Sequence, residues 1–432
     1  MPLIVFLIAM IFAVPAAWAD FSIEVVDGGG VGASTDVALN TMDAPVVCYY
    51  DETQGNLKVA EFNGGDWNLI TVDSAGDVGL DCSLYLDPGD DPHVAYMDNT
   101  NWDLKYAYRD GGNWYTSILE EYGATGVGPS MKPGPNNLPR ISFIYSSDED
   151  LVYLWFTNTD YFEYTVDAER KVGGQTTSLA VGGTGLTYIG YNDDGAKTVR
   201  VARGNQSSWA TVLVDGGNGE EVGWDLSLAV DADENLHLGY YDFTNGRLKY
   251  AFGPFGSMNV EVVDNDGWCG LPMDLALDQD GRPHLCYYDD GVQMVRYAVK
   301  VNGDWRRYLI DEGSHVGEDC SIVVDESGVV TIAYHDGDAG TLKVARGDAS
   351  GMQQYGDDDT ADDDTADDDT QTDDDAADDD TTADDDAADD DDVVDDDTTG
   401  DDDGDDTTPD DDFGGDAGGP TDVYDKGSSC GC

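Results

Sequence analysis

One pattern recurs seven times within the first 350 residues of this 432-residue chain, and it constrains the fold more than any other feature. The consensus of the units is an aromatic residue followed after four positions by Val-Asp, a Gly-rich turn with Val-Gly, and then Ser-Leu-x-x-Asp, Pro-His-x-x-Tyr-Tyr-Asp and Leu-Lys-Tyr-Ala; individual units match it in part. The units follow one another at intervals of 46 to 49 residues and begin at Phe21, Trp67, Trp114, Phe162, Trp209, Met258 and Trp305.

Every unit holds four short runs of β-branched and aromatic residues, separated by Gly, Asp and Asn; in the second unit they are 67–72, 83–86, 93–96 and 104–108. Short alternating runs between turn residues predict antiparallel strands. Four strands in a period near 47 are typical of a propeller blade, whereas β-helix repeats are much shorter. We therefore predict an all-β fold, a seven-bladed β-propeller of four-stranded antiparallel blades over residues 20–351.

The phase of the repeat predicts how the ring closes. The chain enters on the aromatic strand at 21–27, and the repeat ends after 342–345, the third strand of a blade. If the aromatic strand is the outermost one, residues 21–27 complete the blade begun at Ser321. Such a closure hides sheet edges and joins the two ends of the domain.

Two stretches, 87–96 (DPGDDPHVAY) and 231–241 (DADENLHLGYY), resemble repeat units of secreted bacterial β-propellers and, more distantly, NHL-type blades. The resemblance covers roughly residues 21–350. It implies the fold and leaves function open, because propellers serve as lectins, hydrolases, lyases and scaffolds.

The two ends of the chain predict export. Residues 1–19 form an apolar run ending in Ala17-Trp18-Ala19, as in a signal peptide cleaved near Asp20, so we expect a secreted or cell-surface protein with no transmembrane helix in the mature chain. Residues 352–432 are rich in Asp, and their mutual repulsion predicts a disordered stalk. The stalk and its final Cys430-Gly-Cys432 resemble the start of MYXO-CTERM-type sorting tails, which implies surface attachment; simple secretion is the alternative.

Charge excludes two classes of partner. Residues 357–432 hold 36 of the 91 acidic residues and one of the 20 basic ones, which still leaves a net charge of −36 for residues 1–356. Nucleic acids and anionic membranes need clustered Lys and Arg, so neither is expected. We expect a monomeric propeller whose partner is a carbohydrate or an extracellular protein.

Three tryptophans depart from the repeat and mark the candidate ligand site: Trp102, Trp224 and Trp268. The strand order places all three in loops on the face where the inner strands begin. Solitary loop tryptophans are suited to stack on a sugar or dock a partner, although they could instead cover the ends of the sheets. Polar neighbours able to bind hydroxyl groups are Asn99, Asn101, Asp103, Asp225 and Asp266.

A second candidate site lies at the same face, two residues after the Val-Gly of each unit, or three in the fourth unit, with Cys-Gly replacing Val-Gly in the sixth. This position carries Asp81, Asp225 and Asp319, with Ser34, Ser130, Thr176 and Pro272 in the other units. Oxygen ligands ringing a channel entrance predict Ca²⁺; the alternative is that these side chains bond local backbone amides. His93, His237 and His284 share one repeat position and are expected to be structural, and no zinc-ligand spacing occurs.

No constellation in the sequence predicts catalysis. The Ser-x-Asp-x-Gly-x-x-Trp boxes of sialidases are absent, and we expect that the chain is not an enzyme. Among the cysteines, Cys269 and Cys320 are the favoured disulfide. The predicted function is carbohydrate binding through loops on one face; the alternatives are a protein–protein scaffold and, third, a propeller glycoside hydrolase or lyase.

Overall fold

A computed structural model of the protein describes residues 21–121 and 123–348, except for the side chains of residues 174 and 175. The predicted signal peptide and acidic tail lie outside the described residues. Within the described part of the chain, no helix is long and apolar enough to cross a membrane.

The described residues form seven antiparallel sheets of four strands each. From the innermost strand outward, the first four blades are β2 (Val31–Leu39), β3 (Pro45–Asp51), β4 (Asn56–Phe62) and β5 (Trp67–Asp73); β6 (Val78–Leu86), β7 (Pro92–Asp98), β8 (Asp103–Asp110) and β9 (Asn113–Glu120); β10 (Val127–Pro133), β11 (Pro139–Tyr145), β12 (Asp150–Phe156) and β13 (Tyr161–Asp167); and β14 (Val172–Val181), β15 (Thr187–Asp193), β16 (Thr198–Asn205) and β17 (Ser208–Gly216). The last three are β18 (Val222–Val230), β19 (Asn235–Asp242), β20 (Arg247–Pro254) and β21 (Asn259–Asp264); β22 (Cys269–Leu277), β23 (Pro283–Asp289), β24 (Met294–Val301) and β25 (Asp304–Leu309); and β26 (Val316–Val324), β27 (Val330–Asp336), β28 (Thr341–Gly347) and β1 (Ser22–Gly28).

The predicted closure is confirmed. The first strand, β1, pairs with β28 as the outermost strand of blade 7, with Ser22 opposite Arg346 and Gly28 opposite Thr341. The aromatic strand of every sequence unit likewise belongs to the blade before it. Each repeat in the sequence therefore straddles two blades, and every blade combines strands from two units.

The repeated tryptophans pack between blades, as the sequence indicated. Trp209 of blade 4 meets Tyr153 of blade 3 edge-on, with ring centroids 4.9 Å apart, and Trp305 of blade 6 meets Tyr250 of blade 5 at 5.2 Å. Such edge-to-face pairs add to the stabilisation from apolar burial. The core accordingly consists of a series of apolar clusters lying between adjacent sheets.

Polar residues of the repeat also connect blades. The Asp of Val-Asp accepts a hydrogen bond from the first Tyr of Tyr-Tyr-Asp in the next blade; the Tyr96 hydroxyl lies 2.7 Å from Asp73. The Lys of Leu-Lys-Tyr-Ala reaches the same carboxylate, since Lys105 pairs with Asp73. Burial opposes the charged form of Asp73, but the bonds from Lys105 and Tyr96 lower its pKa overall.

The periodic histidines are structural, as expected. His237 Nδ1 lies 2.6 Å from the Tyr250 hydroxyl, and His284 Nδ1 lies 2.7 Å from that of Tyr297, each tyrosine being on the neighbouring strand. Burial lowers the pKa of both imidazoles. These rings therefore fill and satisfy the blade interior.

The predicted disulfide is wrong. Cys48 of β3 is bonded to Cys82 of β6, whereas Cys269 and Cys320 are buried and not bonded to each other. The second strand of one blade packs on the innermost strand of the next, so a cysteine on the second strand meets a cysteine on the following inner strand. Cys269 begins an inner strand and does not occupy such a position.

Candidate functional site

A ring of side chains ties the seven innermost strands together. Each strand supplies one acceptor to a backbone N–H of the next blade, at distances of 2.7 to 3.2 Å. The acceptors of this latch ring are Asp36, Ser83, Ser130, Ser178, Ser227, Asp274 and Ser321. The last member closes the circle, because the Val37 N–H donates to Ser321 Oγ across the joint between blades 7 and 1. The Ser of the Ser-Leu motif is therefore an inter-blade connector.

The inner strands enclose a channel of about 800 Å³ lined by several acidic side chains. Two members of the latch ring are acids, and they flank one serine: Ser321 Oγ lies 3.0 Å from Asp36 Oδ1 and 3.0 Å from Asp274 Oδ2. Burial and then the charge of Asp274 act to raise the pKa of Asp36, which is raised overall although Lys132 acts in the opposite sense.

The three carboxylates predicted to bind Ca²⁺ are spread over blades 2, 5 and 7. Each accepts a backbone N–H of the next blade: Asp319 from Ser34 at 2.9 Å, Asp225 from Met273 at 2.9 Å, and Asp81 from Gly128 at 3.4 Å. Among the described residues, no group of three or more His, Cys, Asp or Glu could hold a metal ion. Burial raises the pKa of Asp225 to about 6, and Asp319 adds to the effect. Calcium binding stays a prediction.

The strand register reassigns one member of that predicted set. Ser130 accepts from the Leu179 N–H and lies opposite Ser142, so it occupies the latch position of Ser83 rather than the position of Asp81. The third unit has two fewer residues between Val-Gly and the latch residue than the second unit has. Counting two residues onward from its Val-Gly therefore arrives at the latch position.

Two of the three predicted tryptophans come together with a phenylalanine. Trp224 is the third residue of β18, Phe243 lies in the turn after β19, and Trp268 precedes β22; all three lie on the face where the inner strands begin. Trp224 and Phe243 are stacked with centroids 4.8 Å apart and planes 16° apart, and Trp268 meets Phe243 at 6.2 Å and 69°. Their exposed fractions are 39%, 38% and 53%. We call these three side chains the aromatic platform.

Local bonds hold the platform in place. Trp224 Nε1 donates to Glu221 Oε1 at 2.7 Å, and the Phe243 N–H donates to the Glu221 carbonyl at 3.0 Å. The Trp268 ring covers Gly246, where an added Cβ would lie 3.0 Å from the ring and where φ is +61°. Glycine adopts this left-handed conformation without strain, and its lack of a side chain leaves room for the Trp268 ring.

Trp102 lies elsewhere on the same face, in the second turn of blade 2 and three blades away from Trp224 around the ring. It is 43% exposed and has φ +62°, at the turn position that is glycine in blades 1, 5 and 7. Left-handed backbone is uncommon for an aromatic residue. No ring contact joins Trp102 to the platform among the described residues.

Three of the predicted polar ligands are hydrogen-bonded to other residues of the propeller. Asn99 donates to Asp77 at 2.7 Å, Asn101 donates to Asp98 at 3.1 Å, and Asp266 accepts from Arg307 at 2.9 Å. Asp103 is buried, and burial followed by the charge of Asp98 raises its pKa. Their binding roles stay predictions.

Sequence reasoning missed Phe243 and the polar group beside it. Phe243 follows the Tyr-Tyr-Asp motif, a place that holds a polar residue or glycine in the other six units, so the same search for departures from the repeat could have found it. Asn245 in this turn donates to Glu220 at 3.3 Å, and Lys197 pairs with Glu221 at 3.0 Å. Carboxylate, amide and ammonium groups therefore surround the platform.

No protein-family model and no curated protein matches this chain. The solved structures similar to it include YCF48 from Cyanidioschyzon merolae, at 14% identity and TM-score 0.49, covering 74% of this chain and 98% of that one. Another is a mutant of the Aleuria aurantia lectin in complex with Fucalpha1-6GlcNAc, at 13% identity and TM-score 0.46, covering 67% and 99%. A third is the Penicillium chrysogenum alpha-L-arabinanase complexed with arabinobiose, at 11% identity and TM-score 0.46, covering 63% and 94%.

The prediction that the chain is not an enzyme is wrong, because it excluded a class of protein that is found among the similar solved structures. The arabinanase among these similar structures is an enzyme, and the lectin is not.

Proposed function

We propose that this chain is an exported or cell-surface propeller that binds neutral carbohydrate on the aromatic platform. The observation that carries the proposal is the grouping of Trp224, Phe243 and Trp268 as exposed rings on one face. Aromatic rings exposed on a rigid scaffold without an interior packing role are suited to binding.

The shape of the platform suits a sugar ring. Trp268 stands at 69° to Phe243, so its ring and the stacked pair of Trp224 and Phe243 form two sides of a corner. The apolar C–H face of a pyranose can stack on one side while hydroxyl groups reach the polar groups at the edge. Asn245 and Glu220 supply a donor and acceptors in the adjoining turns.

Charge narrows the class of saccharide. Residues 1–356 carry a net charge of −36, which repels uronic acids, sulfated sugars and sialic acids at low ionic strength. A neutral saccharide avoids this repulsion, and its hydroxyl groups can donate to the carboxylates.

The test is a screen of the full chain against an array of neutral glycans, with and without Ca²⁺. We expect binding that falls at least about 5-fold in Trp224→Ala and in Trp268→Ala, the loss of more than about 1 kcal/mol typical of a central contact. Trp102→Ala is the matched control, because it removes an equally exposed ring on the same face but away from the platform.

Two results would refute the proposal. Binding that survives both platform variants would place the site elsewhere. An array without any bound glycan would favour the scaffold function, in which the same exposed rings contact an extracellular protein.

A further inference from the structure

Two buried cysteines meet at the joint between blades 6 and 7. Cys286 lies in β23 and Cys320 in β26, and both side chains are buried. Their sulfur atoms are 2.7 Å apart, shorter than the contact distance of two unbonded sulfur atoms. The backbone therefore already holds the two thiols within reach of a covalent bond.

The same joint geometry carries a disulfide elsewhere in the ring. Cys48 lies opposite the latch residue Asp36, and Cys286 lies opposite the latch residue Asp274, so the two cysteines are equivalent. Their partners are equivalent too, since Cys82 and Cys320 each directly precede a latch serine. Both pairs are separated by 34 residues along the chain.

We propose that Cys286 and Cys320 form a second inter-blade disulfide, which joins blade 6 to blade 7 as Cys48–Cys82 joins blade 1 to blade 2. The oxidant is a disulfide of the export compartment, small-molecule or protein. One thiolate attacks the oxidant and forms a mixed disulfide, the second thiolate displaces it, and the oxidant leaves as two thiols that take up the two electrons and two protons.

The timing of this step follows from burial. Because burial raises the pKa of both thiols, few thiolates form once the blades have docked. Oxidation therefore belongs to folding, as blade 7 docks on blade 6 and before the joint is closed to solvent. Once both bonds are made, blades 1 and 7, which meet where the ring closes, are each covalently attached to their other neighbour.

The sequence allows a direct test, because cleavage on the amino side of Asp puts each described cysteine in a separate peptide. The full chain is reduced, refolded with oxidised and reduced glutathione, alkylated with N-ethylmaleimide in denaturant, digested and analysed by mass spectrometry. The peptides holding Cys48, Cys82, Cys269, Cys286 and Cys320 are 43–50, 81–86, 266–273, 280–288 and 319–324.

We expect 280–288 cross-linked to 319–324 to the same extent as 43–50 to 81–86, with 266–273 alkylated. In Cys320→Ser the first cross-link should disappear, and Cys286 should become alkylated. Measured in preparations where the Cys48–Cys82 cross-link is present, alkylation of both Cys286 and Cys320 would overturn the proposal. Pairing of either one with any other cysteine would also overturn it.

Discussion

Replacing Asp36 with asparagine should stabilise the propeller above neutral pH. The Ser321 hydroxyl has one hydrogen but lies 3.0 Å from both Asp36 Oδ1 and Asp274 Oδ2, so it can donate to only one of them. In Asp36→Asn, the new side chain would accept from the Leu84 N–H with its carbonyl and donate to Ser321 with its amide. The Ser321 hydrogen would then be available to Asp274, and one negative charge would be gone.

The magnitude follows from the separation of the charges. Both carboxylate oxygens contact one hydroxyl, so they lie at most about 6 Å apart, where two unit charges repel by about 0.7 kcal/mol in water and about 3 kcal/mol at an effective dielectric of 20. Asp36 lines the channel, and Lys132 offsets part of the repulsion. We expect a gain of about 1–2 kcal/mol in the free energy of unfolding at pH 8.

The sign of the pH dependence is fixed by the raised pKa of Asp36. A carboxyl group with a raised native-state pKa stabilises the protein below its unfolded-state pKa, and this contribution is lost as the pH rises through the native-state pKa. Asp36→Asn should therefore match the wild type near pH 4 and exceed it at pH 8 in chemical denaturation.

Glu326→Gln is the control, because it removes the same charge from an exposed side chain lining the same channel. The reasoning is refuted if Asp36→Asn is no more stable than the wild type at pH 8. It is equally refuted if Glu326→Gln gives the same gain, since the effect would then reflect net charge alone.

Three further predictions test the remaining interactions. Raising NaCl from low to moderate concentration should raise the melting temperature, because it screens the repulsion of a net charge of −36; a flat profile contradicts this account. Lys105→Met should lower the free energy of unfolding at pH 7 by about 3 kcal/mol, because it leaves Asp73 buried beside Tyr96 without its cation. The loss should shrink as the pH falls through the lowered pKa of Asp73. An unchanged denaturation midpoint would show that this ion pair does not stabilise the contact between blades 1 and 2. If Asp81, Asp225 and Asp319 bind Ca²⁺, the ion should raise the melting temperature, and Asp225→Asn should abolish this increase. No increase in the wild type would show that these side chains serve only as hydrogen-bond acceptors.

Much of the architecture could be predicted from the sequence because it repeats. A period of about 47 residues with four strands defines the blade, and the phase of the repeat at Phe21 predicts the closing strand that β1 supplies. The tryptophans that do not repeat from unit to unit could be found because they depart from a pattern that the chain itself displays. Local strand and turn chemistry, which sequence reports well, decides these features.

The side-chain contacts between neighbouring blades were decided only by the tertiary structure. Repeat position identifies Cys48 and Cys286 as equivalents but does not show that each meets a cysteine 34 residues later, because that contact depends on how one sheet packs on the next. The platform has the same origin: Trp268 reaches Phe243 only because blades 5 and 6 adjoin. The sequence determined the blades and their order, whereas lateral packing determined which side chains meet, since distances across a joint are set by sheet twist and side-chain volume rather than by spacing along the chain.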